Sequence, residues 1–139
     1  MIIMAIDYGD VRTGIAVCDK FEMLASPVCV IEQRNADKLI TQIAELATTH
    51  KVEQFVVGLP KNMDSSVGER AEKCRMFADK LANETGIDAV MRDERLSTVS
   101  AHNVLNTTNT RGKKRKAVVD QVAAVMILQD YIDFRKNQR

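Results

Sequence analysis

Three acidic residues far apart in the chain, Asp7, Glu94 and Asp120, combine residue type and local setting for divalent-cation chemistry. Asp7 ends the apolar run Ile2 to Ile6, and on an extended strand it shares a face with Ile3 and Ala5. A carboxylate on a buried face is costly unless a partner or a metal compensates it. Glu94 follows a second apolar segment, 87–92, within Arg92-Asp93-Glu94-Arg95. Asp120 begins a helical row that continues through Ala123, Ala124, Ile127 and Tyr131, which places it on a face turned to the protein interior. Each acid alone fits a plainer role: a turn residue, a surface ion-pair partner, an acid favoured by a helix N-terminus. Together, without neighbouring Cys or His, they form a hard oxygen site suited to Mg²⁺ or Mn²⁺. Two such ions ~3.5–4 Å apart would activate a water on one side of a phosphodiester and stabilise the leaving oxygen on the other.

The elements between these residues must bring them together. Residues 2–6 read as a central strand covered on both faces, 13–18 as a second strand and 23–31 as a third weakened by Pro27, forming an antiparallel meander. From the N-cap Asn35, the residues Leu39, Ile40, Ile43, Leu46 and Ala47 recur at helical spacing. A fourth strand follows at 54–58. Ser66-Val67-Gly68-Glu69 has the pattern of a capping box for a helix over 67–85, which Gly86 stops. A fifth strand spans 87–92, a short helix runs from Ser97 or Thr98 to Asn106, and 107–115 is a polar, basic segment. A long helix fills 117–135. Strands separated by helices pair in parallel through right-handed crossovers. The expectation is an α/β fold in one domain over 1–139: a mixed five-stranded sheet, with a three-strand antiparallel meander plus two parallel strands and helices on both faces. Parallel strands end on one edge, where Asp7 and Glu94 would meet.

Lys and Arg number 20 against 19 acids, for a net charge of +1, so any attraction for nucleic acid must be local. Arg111, Lys113, Lys114, Arg115 and Lys116 form such a patch, suited to a phosphate backbone or else to a solvated loop. Aromatic residues are only 4% with no Trp, which argues against a base-stacking platform. Cys18, Cys29 and Cys74 are odd in number and lack metal-ligand spacing, and Cys74 reads as a small core residue. Met63, Met76 and Met126 read as packing filler. No secretory leader or membrane span is evident, so a cytoplasmic location is expected.

The segments Ala5-Ile6-Asp7-Tyr8-Gly9, Arg12-Thr13-Gly14-Ile15-Ala16, Val57-Gly58-Leu59-Pro60, Asp93-Glu94-Arg95-Leu96-Ser97-Thr98 and Val119-Asp120-Gln121-Val122-Ala123-Ala124 occur in the order of the YqgF (RuvX) family. The resemblance covers essentially the whole chain. It implies an RNase H-like fold, a nuclease maturing the 5′ end of pre-16S ribosomal RNA, and a catalytic, metal-binding triad at Asp7, Glu94 and Asp120. Resolution of branched DNA junctions is the family's other implied activity. Related resolvases carry a fourth acid one helical turn before the last one; here that position is Ala117, with Asp10 or Asp93 as substitutes, or a second metal held only with substrate. Candidate phosphate contacts are Arg12, Lys61, Asn62, Arg95, Lys113, Lys114, Arg115 and Lys116, with ordinary surface pairing as their alternative role.

The expected partners are structured RNA, branched DNA as the alternative, and pre-ribosomal particles, with the protein a monomer or a homodimer. A competing reading is a non-catalytic nucleic-acid-binding or ribosome-assembly factor, which gains nothing from clustered negative charge facing phosphates. A nucleotide-binding lobe of the sugar-kinase type is also suggested by Asp7-Tyr8-Gly9 and Arg12-Thr13-Gly14, but that architecture needs two lobes around a cleft. The choice between RNA and DNA rests on shape and 2′-hydroxyl contacts that no motif here reveals.

Overall fold

The computed structural model describes residues 1–59, 68–93 and 112–138, with the side chains at 59, 93 and 112–121 outside that description. In chain order the elements are β1 (Ile3–Asp7), β2 (Arg12–Cys18), β3 (Ala25–Glu32), α1 (Ala36–His50), β4 (Gln54–Leu59), α2 (Glu69–Thr85), β5 (Ala89–Asp93) and α3 (Gly112–Asn137). The strands form one sheet in the order β3-β2-β1-β4-β5. β1 pairs antiparallel with β2 and β2 with β3, while β4 runs parallel to β1 and β5 parallel to β4. The mixed sheet expected from the sequence is the sheet found.

Ile3, Met4, Ala5 and Ile6 are all 0% exposed, which explains why β1 is apolar at every position instead of alternating. Met4, Ile6, Ile15 and Val57 pack against α1 and α2 through Leu39, Ile40, Ile43, Phe77 and Leu81. Ile3, Ala5, Ala16 and Val56 pack against α3 through Ala124, Ile127, Leu128 and Ile132. Each large aliphatic side chain buried in these layers contributes about 1.5–3 kcal/mol.

Local chemistry sets the boundaries. The Asn35 side chain accepts from the Lys38 N–H at 3.0 Å and starts α1. Gly86, at φ 72°, closes α2 in the left-handed conformation that favours glycine. At the edge of the sheet, the β2–β3 register passes from Ile15↔Cys29 to Ala16↔Pro27, so Val28 is the extra residue of a bulge. Pro27 lacks an N–H, and an edge strand tolerates that loss.

The strand ends shift from expectation by one or two residues, with β3 starting at Ala25 rather than 23 and β5 at Ala89 rather than 87, and two helix starts differ as well. The N-cap of α2 is Gly68, in extended conformation and without a side-chain capping bond, so Glu69 is the first helical residue instead of the third, as a capping box from Ser66 would make it. The last helix begins at Gly112 rather than 117. The basic run Lys113 to Lys116 therefore lies on helical backbone, as the good helix propensity of Lys and Arg allows. The short helix expected over 97–106 lies outside the described residues.

Candidate active-site rim

Asp7 is the last residue of the central strand and is half-buried. Its antiparallel partner is Gly14, and its strand neighbours Ile3 and Ala5 belong to the core layer beneath α3. By strand alternation Asp7 belongs to the α3 side of the sheet. The parallel registers Ile6↔Val57 and Val57↔Met91 put the C-terminal ends of β1, β4 and β5 level with one another, with Leu59 opposite Asp93 at the last step. Glu94 is the next residue in the sequence and lies outside the described residues. Asp120 lies on α3 four residues before the fully buried Ala124, with its side chain outside the description. β1, β5 and α3, the elements that carry or lead to the three predicted acids, thus adjoin one edge of one sheet face.

The link between β5 and α3 is direct. Val90 packs into the α3 layer, and Arg92, of the same strand parity, donates through Nε to Asp130 Oδ2 at 2.7 Å. Tyr131, expected in the buried row of α3, is half-buried and donates its hydroxyl to Gln54 Oε1 at 2.9 Å.

The loop after Asp7 is tightly built. A Cβ on Gly9 would lie 2.0 Å from the Arg12 carbonyl oxygen, so only glycine fits the close approach of the two chain segments. The Gly9 N–H donates to Oγ1 of the fully buried Thr13 at 3.4 Å. Arg70, on α2, donates to the Tyr8 carbonyl and, at 2.6 Å, to Asp10 Oδ1. The Tyr8 ring stacks on Phe77 with centroids 4.1 Å apart. Burial raises the Tyr8 pKa, with Arg70 opposing, so the phenol stays neutral near pH 7.

Arg12 stands at the same edge, beyond Gly14 on β2, and donates to Glu32 Oε1 at 3.5 Å. That bond uses one of five guanidinium N–H donors and leaves others for a phosphate. Asp10, suggested as a substitute fourth acid, is engaged by Arg70. Lys61, Asn62 and Arg95 lie outside the described residues, and Lys113, Lys114, Arg115 and Lys116 are placed by backbone alone in the first turns of α3. Among the described residues no group of three His, Cys, Asp or Glu gathers at metal-binding distance. Asp7 is thus the one member of the expected triad whose side chain is described.

Sequence reasoning missed a groove of about 470 Å³ on the other side of the rim, lined by Tyr8, Arg34, Lys73, Met76, Phe77 and Lys80 among others. Met76 is 70% exposed and is not packing filler. A signal was present: residues 73, 76, 77 and 80 have the spacing of one helix face.

A mixed sheet of this order, with a carboxylate ending its central strand, defines an RNase H-like fold of the resolvase type. Two solved structures share the architecture: Thermus thermophilus RuvC in complex with a Holliday junction substrate, TM-score 0.63 at 13% identity over 99% of this chain and 96% of that one, and the fowlpox virus resolvase in complex with Holliday junction DNA, TM-score 0.58 at 12% identity over 97% and 99%. The chain belongs to the RuvX family, described as Holliday junction resolvase, whose family model matches residues 1–134. Relatives named "Putative pre-16S rRNA nuclease" include one from Halothermothrix orenii, 44% identical over 97% of this chain and 96% of the relative. Another, from Agathobacter rectalis, is 39% identical over 100% of this chain and 99% of the relative.

Proposed function

We propose that this chain, as a single nuclease domain over residues 1–139, hydrolyses phosphodiester bonds in structured nucleic acid. Its substrate on this reading is the 5′ region of pre-16S ribosomal RNA, which places its work in the cytoplasm and on pre-ribosomal particles. The observation that carries the proposal is Asp7, a half-buried carboxylate ending the central strand at a rim that β5 and α3 also reach. Family membership supports the reaction class, and the names of the relatives support the RNA substrate.

Asp7, Glu94 and Asp120 are the proposed catalytic and metal-binding residues. The donor set fits Mg²⁺ or Mn²⁺, because carboxylate oxygens are hard ligands and no Cys or His belongs to it. When bound, one or two such ions would supply an activated water and neutralise developing charge on the phosphoryl oxygens. The protein's own contribution is to carry Asp7 at the end of the central strand and Asp120 on the backbone of α3, two elements packed on one another through the core. Arg12 and the helical run Lys113 to Lys116, with Lys61, Asn62 and Arg95, are the proposed phosphate contacts. They orient the substrate backbone without reading its sequence.

The family description favours a second substrate, branched DNA, and symmetric resolution of a four-way junction would need a homodimer. The discriminating experiment compares cleavage of a pre-16S RNA fragment with cleavage of a four-way DNA junction, in Mg²⁺ and in Mn²⁺, using Asp7→Asn and Asp120→Asn as controls. RNA cleavage by the wild type that both substitutions abolish supports the proposal. Junction cleavage alone transfers it to DNA, and equal activity in wild type and variants leaves a non-catalytic binding factor.

A further inference from the structure

We infer that the groove beside Tyr8 holds the phosphate backbone of an unpaired strand continuing from the bond that is cut. The inference rests on the nuclease reading above and deepens it by specifying the form of the substrate.

The groove begins where the catalytic strand ends. Tyr8 and Asp10, directly after Asp7, form one wall; Arg34, ahead of α1, and Lys73, Met76 and Lys80 of α2 form the rest. Its charge is lopsided. Asp10 is neutralised by Arg70, and Lys80 is bound to Asp37. Among the described residues no ion pair engages Arg34 or Lys73, both exposed. Glu69 and Glu72, in the first turn of α2, and Asp79, directly before Lys80, are the nearest acids along that helix. Two exposed cations that form no ion pair among the described residues, beside an apolar floor made by the stacked Tyr8 and Phe77 rings and extended by Met76, match a phosphodiester with its attached nucleoside. The size agrees: about 470 Å³ is within the ~300–1,000 Å³ of pockets for small organic ligands, which one nucleotide resembles.

The sheet argues for an unpaired strand rather than a duplex. Asp7 belongs to the α3 face, whereas the groove lies on the α1/α2 side. A backbone reaching both must turn over the rim within the length of the Tyr8–Asp10 loop. Double-stranded DNA has a persistence length of ~150 base pairs, and bending a site of ~20–30 base pairs by ~40–90° already costs about 1–6 kcal/mol. A single strand makes the turn freely.

The test uses the full chain and two RNA probes, a blunt hairpin and the same hairpin with a single-stranded 5′ extension, titrated by fluorescence anisotropy over a series of salt concentrations. Wild-type protein is expected to prefer the extended probe. Arg34→Ala/Lys73→Ala should cut affinity for that probe about tenfold at low salt and lower the salt slope by ~1.4, the value for two contacts to a single strand. Blunt-hairpin binding should stay within twofold. Arg34→Lys/Lys73→Arg should retain the wild-type slope, which separates charge from any structural effect. Equal affinity for the two probes, or an extension preference indifferent to the double alanine change, overturns the inference. Asp7→Asn separates it from the reading beneath: with divalent ions chelated, that variant should keep the preference for the extended probe over the blunt one, and with Mg²⁺ restored it should lose cleavage. A preference that persists in a protein cleaving neither RNA nor junction supports the groove while the nuclease reading fails.

Discussion

Arg92 on β5 and Asp130 on α3 are joined by a 2.7 Å charged hydrogen bond, and the Arg92 guanidinium also lies 4.4 Å from the centroid of the Phe134 ring. Arg92 is two residues before Glu94 and Asp130 ten residues after Asp120, so the bond fastens β5, the strand that precedes Glu94 in the sequence, to α3, the helix that carries Asp120. Its direct worth to stability is small. The Asp130 side chain is 50% exposed, and such pairs contribute about 0.2–1 kcal/mol.

Positioning gives this pair its importance. Small misplacements of reacting groups can cost roughly 100-fold in rate. Arg92→Ala is therefore expected to lower kcat about 10-fold or more, with KM and the melting temperature little changed. Steady-state kinetics beside thermal melts would check this, and an unchanged kcat would remove the pair from the active-site scaffold.

A second clamp lies at the opposite end of the sheet. Glu22, 8% exposed and at φ 54°, accepts from Arg135 Nε at 2.5 Å and from the Met1 amino group at 3.1 Å. The Arg135 bond, against the opposing cost of burial, holds the carboxyl at about 2, well below its ordinary 4.5. Because the folded value is the lower one, the stabilisation is fully present above pH ~4.5 and lost as the pH falls toward 2. It amounts to at most about 3 kcal/mol. Glu22→Gln should melt at lower temperature than the wild type at pH 7, and the gap should close between pH 4.5 and 2; a gap constant over that range would contradict the assignment.

Gly9→Ala tests the loop that follows the catalytic strand. The added methyl would meet the Arg12 carbonyl at 2.0 Å, so the backbone between Asp7 and Arg12 must move. Overpacking of this kind costs about 1–3 kcal/mol. Cleavage should fall by at least about 10-fold, since Asp7 is two residues away. A variant with wild-type stability and rate would show that the loop has room that the structure denies it.

The fold was legible because its signals are local or periodic. Asn35 announced α1, Gly86 ended α2, and the unbroken apolar run Ile2 to Ile6 marked β1 as buried on both faces. Asp7 was legible for the same reason, as an acid continuing an apolar strand. The capping box at Ser66 misled because four residues of the right types say nothing about which backbone conformation Gly68 adopts. The polar 107–115 segment hid the first turns of α3, since a run of Lys and Arg has no apolar face to reveal its period. The groove was harder still. Tyr8, Arg34 and Lys73 come from three separate segments, and the folded contacts of α2, with Phe77 stacked on Tyr8, make them neighbours.

The proposed hydrolysis requires Asp7, Glu94 and Asp120 to share divalent cations. Titrating Mn²⁺ into the wild type and into Asp7→Asn, Glu94→Gln and Asp120→Asn, followed by the paramagnetic resonance signal of the free ion, tests that sharing without recourse to any substrate. Each substitution is expected to weaken binding at least about 10–100-fold, by analogy with the loss seen when groups supporting a metal ligand are removed. Wild-type affinity in any one of the three variants would mean that its carboxylate belongs to some other surface, and the shared metal site would be refuted.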